Sequence, residues 1–280
     1  NWGVETQKRL AVVDPQKDIL FIHLSRIANE LSPRWPVHKT LQSCHTLSKD
    51  LLSSVGDHHP DPFKHFEAVC IYFFKIKKFK PLKSKPTLDK YLLPYALLSR
   101  RGPLELLLPL FIALCRQVHL DPLVAHYGQD IILKLLVHGK AHFFNFTKGG
   151  EPLTSEDLIA LINSGSDCSH VIKEDDVLAK YLLRLKNRCL RERSFLNLYK
   201  VQTHLMSYQP FALHHLLDRA RAAYAVGDIV RAAEDVSQYL SFSAQRIHNT
   251  RMIKLVRKIN QHQLLKRFPF GNQNNDTQLL

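Results

Sequence analysis

Three groups of residues have types and spacings that would do chemistry. Cys115, His142 and Asn145 stand in the order of a Cys–His–Asn triad, in which a thiolate attacks a carbonyl carbon and an oriented imidazole handles the proton. Asp57-His58-His59-Pro60-Asp61, with His65 close behind, offers imidazoles and carboxylates of the kind that hold zinc or nickel. Lys75, Lys77, Lys78, Lys80, Lys83 and Lys85 put six lysines into eleven residues around Phe79. There the ammonium groups would neutralise phosphates while the ring stacks on a base.

Each group also has a plainer reading. Cys115 falls about three turns into an apolar helix, away from the positive end that would activate a thiol, and reads as a small buried hydrophobe. Cys70, on an apolar helical face, reads the same way. Adjacent histidines followed by prolines lack the i, i+4 geometry of helical metal motifs, so the histidine cluster reads as a solvated turn. His214 and His215, neighbours on a helix, point apart. No metal or cofactor is expected. Charge runs are usually solvated faces. The lysine cluster is nevertheless the best candidate for a functional surface, with Arg188, Arg191 and Arg193 forming a second basic region and Arg251 to Lys258 a third.

The elements that must position these residues are organised around Arg100 to Pro122. Gly102-Pro103 begins a helix, with the proline at the first helical position, and Leu104 to Cys115 is almost wholly apolar, so this helix should be buried on every side. Its uninterrupted run, Leu106 to Cys115, is far short of the roughly 18 residues of a membrane span. Pro109 inside it predicts a kink. Before it, helices are expected over 18–31, over 38–55 and from Pro62 onward; Thr87 caps another through Ser99, and 75–85 is an exposed loop or short extended segment. After Pro122, the β-rich runs 124–127, 131–137 and 141–146 predict an antiparallel meander closed by Gly149-Gly150. Thr154-x-x-Asp157 caps a short helix ending at Gly165, and 166–176 reads as a polar linker. Five helices follow: 177–188, 191–206, 211–226, 229–239 and 245–261.

Leu205-Met-Ser-Tyr-Gln-Pro210 and Tyr239-Leu-Ser-Phe-Ser-Ala244 lie 34 residues apart, the tetratricopeptide period. Ala220, Ala223 and Ala232, with the turn at Gly227, fit closely approaching helices of such a repeat. The stretch 263–280 reads as a disordered tail.

The 280 residues carry a formal charge of +14 and a pI near 9.6, which permits nucleic acid, an anionic membrane surface or an acidic protein as partner. Five cysteines without a C-x-x-C spacing argue against a disulfide framework or a thiolate zinc site and fit a reducing, cytoplasmic setting. The chain begins at Asn1 rather than Met, which leaves room for a leader ahead of it.

Tyr91-Leu-Leu-Pro-Tyr-Ala-Leu-Leu-Ser-Arg-Arg-Gly102, Leu120-Asp-Pro-Leu123, Ile131-Ile-Leu-Lys-Leu135 and Phe144-Asn-Phe-Thr-Lys-Gly-Gly150 with Leu153-Thr-Ser-Glu156, in that order, resemble the bacterial SirB family. The resemblance covers roughly 85–165, and the helices extend it to about 260. It implies an α+β chain: a papain/transglutaminase-like core of helices on a short antiparallel sheet over 1–165, then an all-α tetratricopeptide-like array over 177–262. By position, the family's cysteine slot falls at Leu104, its histidine slot near Asp130 and its aspartate slot at Asn145. All three are altered, and an aliphatic side chain attacks nothing. Members of this branch also lack the cysteine, so the resemblance implies a pseudoenzyme, expected to serve as a protein-interaction or regulatory scaffold; the net charge makes an acidic protein its expected partner. Nucleic-acid binding through the basic regions is the alternative, and a residual Cys-dependent hydrolase or transferase is the third.

Overall fold

Helical spacing of apolar residues builds the first third of the chain. The computed structural model describes residues 19–82, 86–127, 130–163, 171–210, 212–242 and 250–267. Helix α1 (Ile19–Leu31) buries Leu20, Phe21, Leu24, Ile27, Ala28 and Leu31, and α2 (Val37–Val55) packs against it with Thr40, Cys44, Leu47, Ser48 and Leu51. Gly56 ends α2. Helix α3 (Pro62–Cys70) starts where Pro62 needs no donor and the Asp61 carboxylate accepts from Phe63 N (2.9 Å) and Lys64 N (3.3 Å).

Two differences from the expected pattern follow. The chain leaves α3 through a π-helical turn, Ile71–Ile76, a rare winding often found at functional positions. Beyond it Phe79, expected in an exposed loop, is buried and stacks on Phe73 at 4.3 Å. The lysines around it kept the stretch polar on average and hid the one side chain that anchors it.

Strand β1 (Lys80–Pro81) pairs in parallel with β2 (Arg101–Gly102) across the short helix α4 (Leu93–Ser99). The segment expected to be one helix from Thr87 to Ser99 is split, because Pro94 has no N–H to donate and its ring would clash with a helical carbonyl one turn back: a 3-10 turn spans Leu88–Tyr91, Leu92 is extended, and α4 follows with the proline in its first turn. Then comes α5 (Leu104–Gln117), in which every residue from Leu106 to Cys115 is buried, as its composition predicts. Pro103 is its cap rather than its first helical residue; its extended backbone presents a carbonyl to Leu106 N and Leu107 N, both at 3.0 Å. Phe66, Phe73, Phe74 and Phe146 close on Phe111 with centroids 5.2–6.0 Å apart.

Strands β3 (Leu123–Tyr127), β4 (Asp130–Val137) and β5 (Lys140–Asn145) form the expected meander. His138 and Gly139, both at positive φ, make the two-residue β4–β5 turn, the geometry that matches strand twist. Strand β6 (Glu151–Pro152) adds to β5, and α6 (Ser155–Asn163) follows. Thr154 and Asp157 satisfy each other's backbone N–H at its start, as the capping pattern predicts. Gly165, where that helix was expected to end, lies outside the described residues. The expected linker 166–176 is corrected where it is described. Val171–Ile172 forms β7, paired antiparallel with β3 so that the sheet order is β6-β5-β4-β3-β7, and α7 (Glu174–Glu192) already begins at Glu174. Two residues of edge pairing leave no pattern in a polar stretch.

Helix α7 also runs through the break expected after Arg188, because Leu182, Leu185 and Cys189 continue one buried stripe; it stops at Arg193, whose φ of 55° is left-handed. The chain divides into two compact units, Asn1–Arg188 and Cys189–Leu280. In the second, α8 (Phe195–Tyr208), α9 (His214–Ala225), α10 (Ile229–Phe242) and α11 (Thr250–Arg267) follow one another, α9 packing on both α8 and α10. Leu217, Ala220, Ala223, Ile229, Ala232, Val236, Leu255 and Ile259 form one buried cluster, with Gly227 at the α9–α10 turn. Among the described residues no helix is long and apolar enough to cross a membrane. The tail from 268 and the stretch 243–249, where the last helix was expected to begin, lie outside the described residues. Fold class is α+β, rich in helix.

Candidate functional site

Two of the three expected slot residues are in contact. Asp130 opens β4, two residues before Ile132, the register partner of Asn145 at the end of β5, and the Asn145 amide donates to Asp130 Oδ2 at 3.0 Å. Asn145 is buried, and its Oδ1 accepts from Lys148 N at 3.0 Å. Its backbone carbonyl accepts from Gly150 N at 2.8 Å, while Thr147 Oγ1 accepts from Ile131 N at 2.9 Å. Both polar groups are thus spent on holding the turn after β5. Leu104 lines a cleft of about 170 Å³ together with Phe74, Phe79, Lys80, Pro81, Phe146, Thr147 and Gly149. The cleft carries one cation, Lys80, but where a thiol would stand at the start of α5 the side chain is isobutyl.

The other thiols are no better placed. Cys115 is wholly buried in α5, and burial pushes its thiol well up. Burial likewise pushes the Cys70 thiol up. Cys44 and Cys189 are buried. The His142 ring packs on Phe63 at 4.9 Å. A buried thiol kept neutral is a poor nucleophile. Cys168 lies outside the described residues.

The histidine cluster builds a turn. His59 Nδ1 accepts from Asp61 N at 3.0 Å, and His65 Nε2 lies 3.3 Å from Gly56 O. Among the described residues no group of three His, Cys, Asp or Glu side chains converges for a metal. Burial, with lesser repulsion from His59 and His58, holds the His65 imidazole below the ordinary 6.5 despite its bond to Gly56 and the nearby Asp57. The folded chain therefore binds this proton more weakly than the unfolded chain. The contribution is full above about pH 6.5 and is lost as pH falls through the lower folded value. Stability measured by urea unfolding should fall between about pH 7 and pH 5, and His65→Gln should flatten that slope. Equal slopes for both proteins would exclude His65 as the titrating group.

The basic residues are placed unevenly. Lys75, Lys78 and Lys80 are exposed, whereas Lys77 is half-buried in an ion pair with Asp50 and lies over the Tyr72 ring at 5.4 Å. Lys83 and Lys85 lie outside the described residues. With Phe79 buried, the ring expected to stack on a base is committed to the core. Arg191 and Arg193 are exposed at the end of α7 and Arg188 is half-buried; Lys254, Arg257 and Lys258 are exposed on α11.

A second cleft, of about 310 Å³, was not singled out by any motif. Ser43, Thr46 and Asp50 of α2, Lys77 and Arg100 line it. The Tyr72 hydroxyl donates to Asp50 Oδ2 at 2.6 Å. The bonds from Lys77 and Tyr72 hold the Asp50 carboxyl below its usual range. Its residues come from three separate stretches of chain; the one local signal is the arginine at the end of α4, where glycine is the usual choice.

Comparison of the chain with protein-family models, curated proteins and solved structures returns no match.

Proposed function

We propose that this chain is a non-catalytic interaction protein: a degenerate transglutaminase-like core joined to a tetratricopeptide-like helical array that receives an acidic peptide or helix from a protein partner. The observation that carries the reading is Leu104 in a largely apolar cleft, with Asp130 and Asn145 tied to each other and Asn145 to the turn that follows it. An aliphatic side chain at the nucleophile's position cannot attack a carbonyl carbon, whatever base stands beside it. Support for the acidic partner comes from the exposed Arg191, Arg193, Lys254, Arg257 and Lys258 of the helical half, which also exposes the apolar Leu196, Val230 and Phe242. Such a mixed surface suits a peptide carrying both carboxylates and apolar anchors. The setting proposed is cytoplasmic.

A pull-down from lysate with the full chain, at low and at moderate salt and with and without nuclease, tests this. The expected result is a protein partner retained after nuclease treatment and at moderate salt. Recovery only of nuclease-sensitive material that elutes as salt rises would overturn the reading in favour of nucleic acid, whose counterion release makes binding steeply salt-dependent.

A further inference from the structure

The larger cleft holds a cation that the fold has not neutralised. Its lining carries one carboxylate, Asp50, and two cations, Lys77 and Arg100. Asp50 is already taken by Lys77 and by the Tyr72 hydroxyl. The Arg100 guanidinium lies on the Phe79 ring, 5.0 Å from its centroid, and among the described residues it makes no hydrogen bond and no ion pair. Arg100 is half-buried, and loss of water around it weakens its hold on its proton. Five N–H donors in a partly dry wall, beside a buried ring, form a fork that suits a carboxylate or phosphate.

The backbone adds an independent observation. Arg100 caps α4 in the left-handed region, φ 58° and ψ 27°, where a side chain costs about 1–2 kcal/mol and glycine or asparagine is usual. Its carbonyl accepts from Lys80 N at 2.9 Å, which locks that conformation to β1. The cap thereby fixes the backbone from which the Arg100 side chain lines the cleft. The rest of the lining is Ser43 and Thr46 with Leu47, Leu97 and Leu98. The Ser43 and Thr46 hydroxyls donate to Lys39 O (3.1 Å) and Gln42 O (3.0 Å), leaving their oxygens as acceptors at the cleft. A ligand would therefore offer an anion at one end and hydroxyl donors at the other. At about 310 Å³ the cleft is of the size that takes a small metabolite.

We propose that this cleft binds a small hydroxylated organic anion, a hydroxy acid or sugar phosphate, with its anionic group on the Arg100 guanidinium and its hydroxyls toward Ser43 and Thr46. The site stands apart from the partner reading and does not depend on it.

Isothermal titration of the full chain with glycerol 3-phosphate, gluconate, inorganic phosphate and glycerol, at constant ionic strength, tests it. Saturable one-site binding of glycerol 3-phosphate or gluconate is expected, at least about tenfold tighter than inorganic phosphate, with none for glycerol. Which of the two binds identifies the anionic group as phosphate or carboxylate. Arg100→Asn, whose side chain tolerates the left-handed region, should weaken binding at least about tenfold, while Arg101→Asn leaves it unchanged. Thr46→Val keeps the shape of the helix surface and should weaken the hydroxylated anion alone. Absence of saturable binding by both hydroxylated anions, equal affinity for inorganic phosphate, or unchanged binding by Arg100→Asn or Thr46→Val would each overturn the assignment.

Discussion

Arg219→Met is expected to destabilise the second unit by about 3–5 kcal/mol. The guanidinium of Arg219 on α9 donates twice to Asp235 on α10, Nε to Oδ2 at 2.8 Å and Nη2 to Oδ1 at 2.6 Å. The Asp235 side chain is 2% exposed and that of Arg219 12%, so the pair is shielded from water. Methionine keeps most of the aliphatic stem and leaves the carboxylate buried without a partner, which is the costly half of the exchange. Arg219→Met with Asp235→Leu removes both charges and should recover most of the loss, because a buried pair replaced whole is close to neutral. Urea unfolding of the two single variants and the double variant, followed by circular dichroism, measures this directly. Additive losses in the double variant would mean that the two side chains act independently and that the α9–α10 contact rests on the apolar cluster alone.

That ion pair also shows what a pattern of residue types can and cannot reveal. Leu106 to Cys115 was legible as a fully buried helix because ten consecutive apolar residues leave no polar face. The β3–β4–β5 meander was legible for a similar reason, with β-branched runs punctuated at Gly139 and Gly149-Gly150. Both are local signals. Arg219 and Asp235 lie sixteen residues apart on different helices, and nothing about either one singles it out among the chain's other charges. The Arg100 cleft was illegible for the same reason, since Ser43, Lys77 and Arg100 meet only through tertiary packing. Phe79 failed differently. A strong compositional signal, the lysines, outweighed one aromatic side chain whose burial depends on the distant α5 and on Phe73. Of the slots placed by resemblance, Asp130 and Asn145 are in contact, as a base and its orienting group would be, and Leu104 lines the cleft that reaches Thr147 and Gly149. That the contact holds a turn together required the hydrogen bonds.

Gly150→Ala is expected to cost about 2–5 kcal/mol, and Gly149→Ala only about 1–2 kcal/mol. Both glycines have left-handed backbones, φ 76° and φ 92°, so each alanine pays for a conformation that side chains resist. They differ in what surrounds them. A methyl group on Gly149 would meet nothing within 4 Å. On Gly150 it would lie 2.8 Å from Cys70 Sγ and 2.9 Å from Cys70 Cβ, with Phe74 Cε2 at 3.1 Å. The Cβ of Cys70 is fixed to α3 and cannot swing away, so either α3 or the turn must move. The turn is the part that holds the site. Gly150 N bonds to Asn145 O, and Thr147 and Gly149 line the Leu104 cleft. A shift there would loosen the Asn145–Asp130 contact as well as the core, and Asn145 Nδ2–H exchange should quicken in Gly150→Ala relative to Gly149→Ala. Paired urea unfolding curves decide the matter. Equal losses in the two variants would mean that backbone conformation alone sets the need for glycine, and that Cys70 does not constrain the turn behind the site.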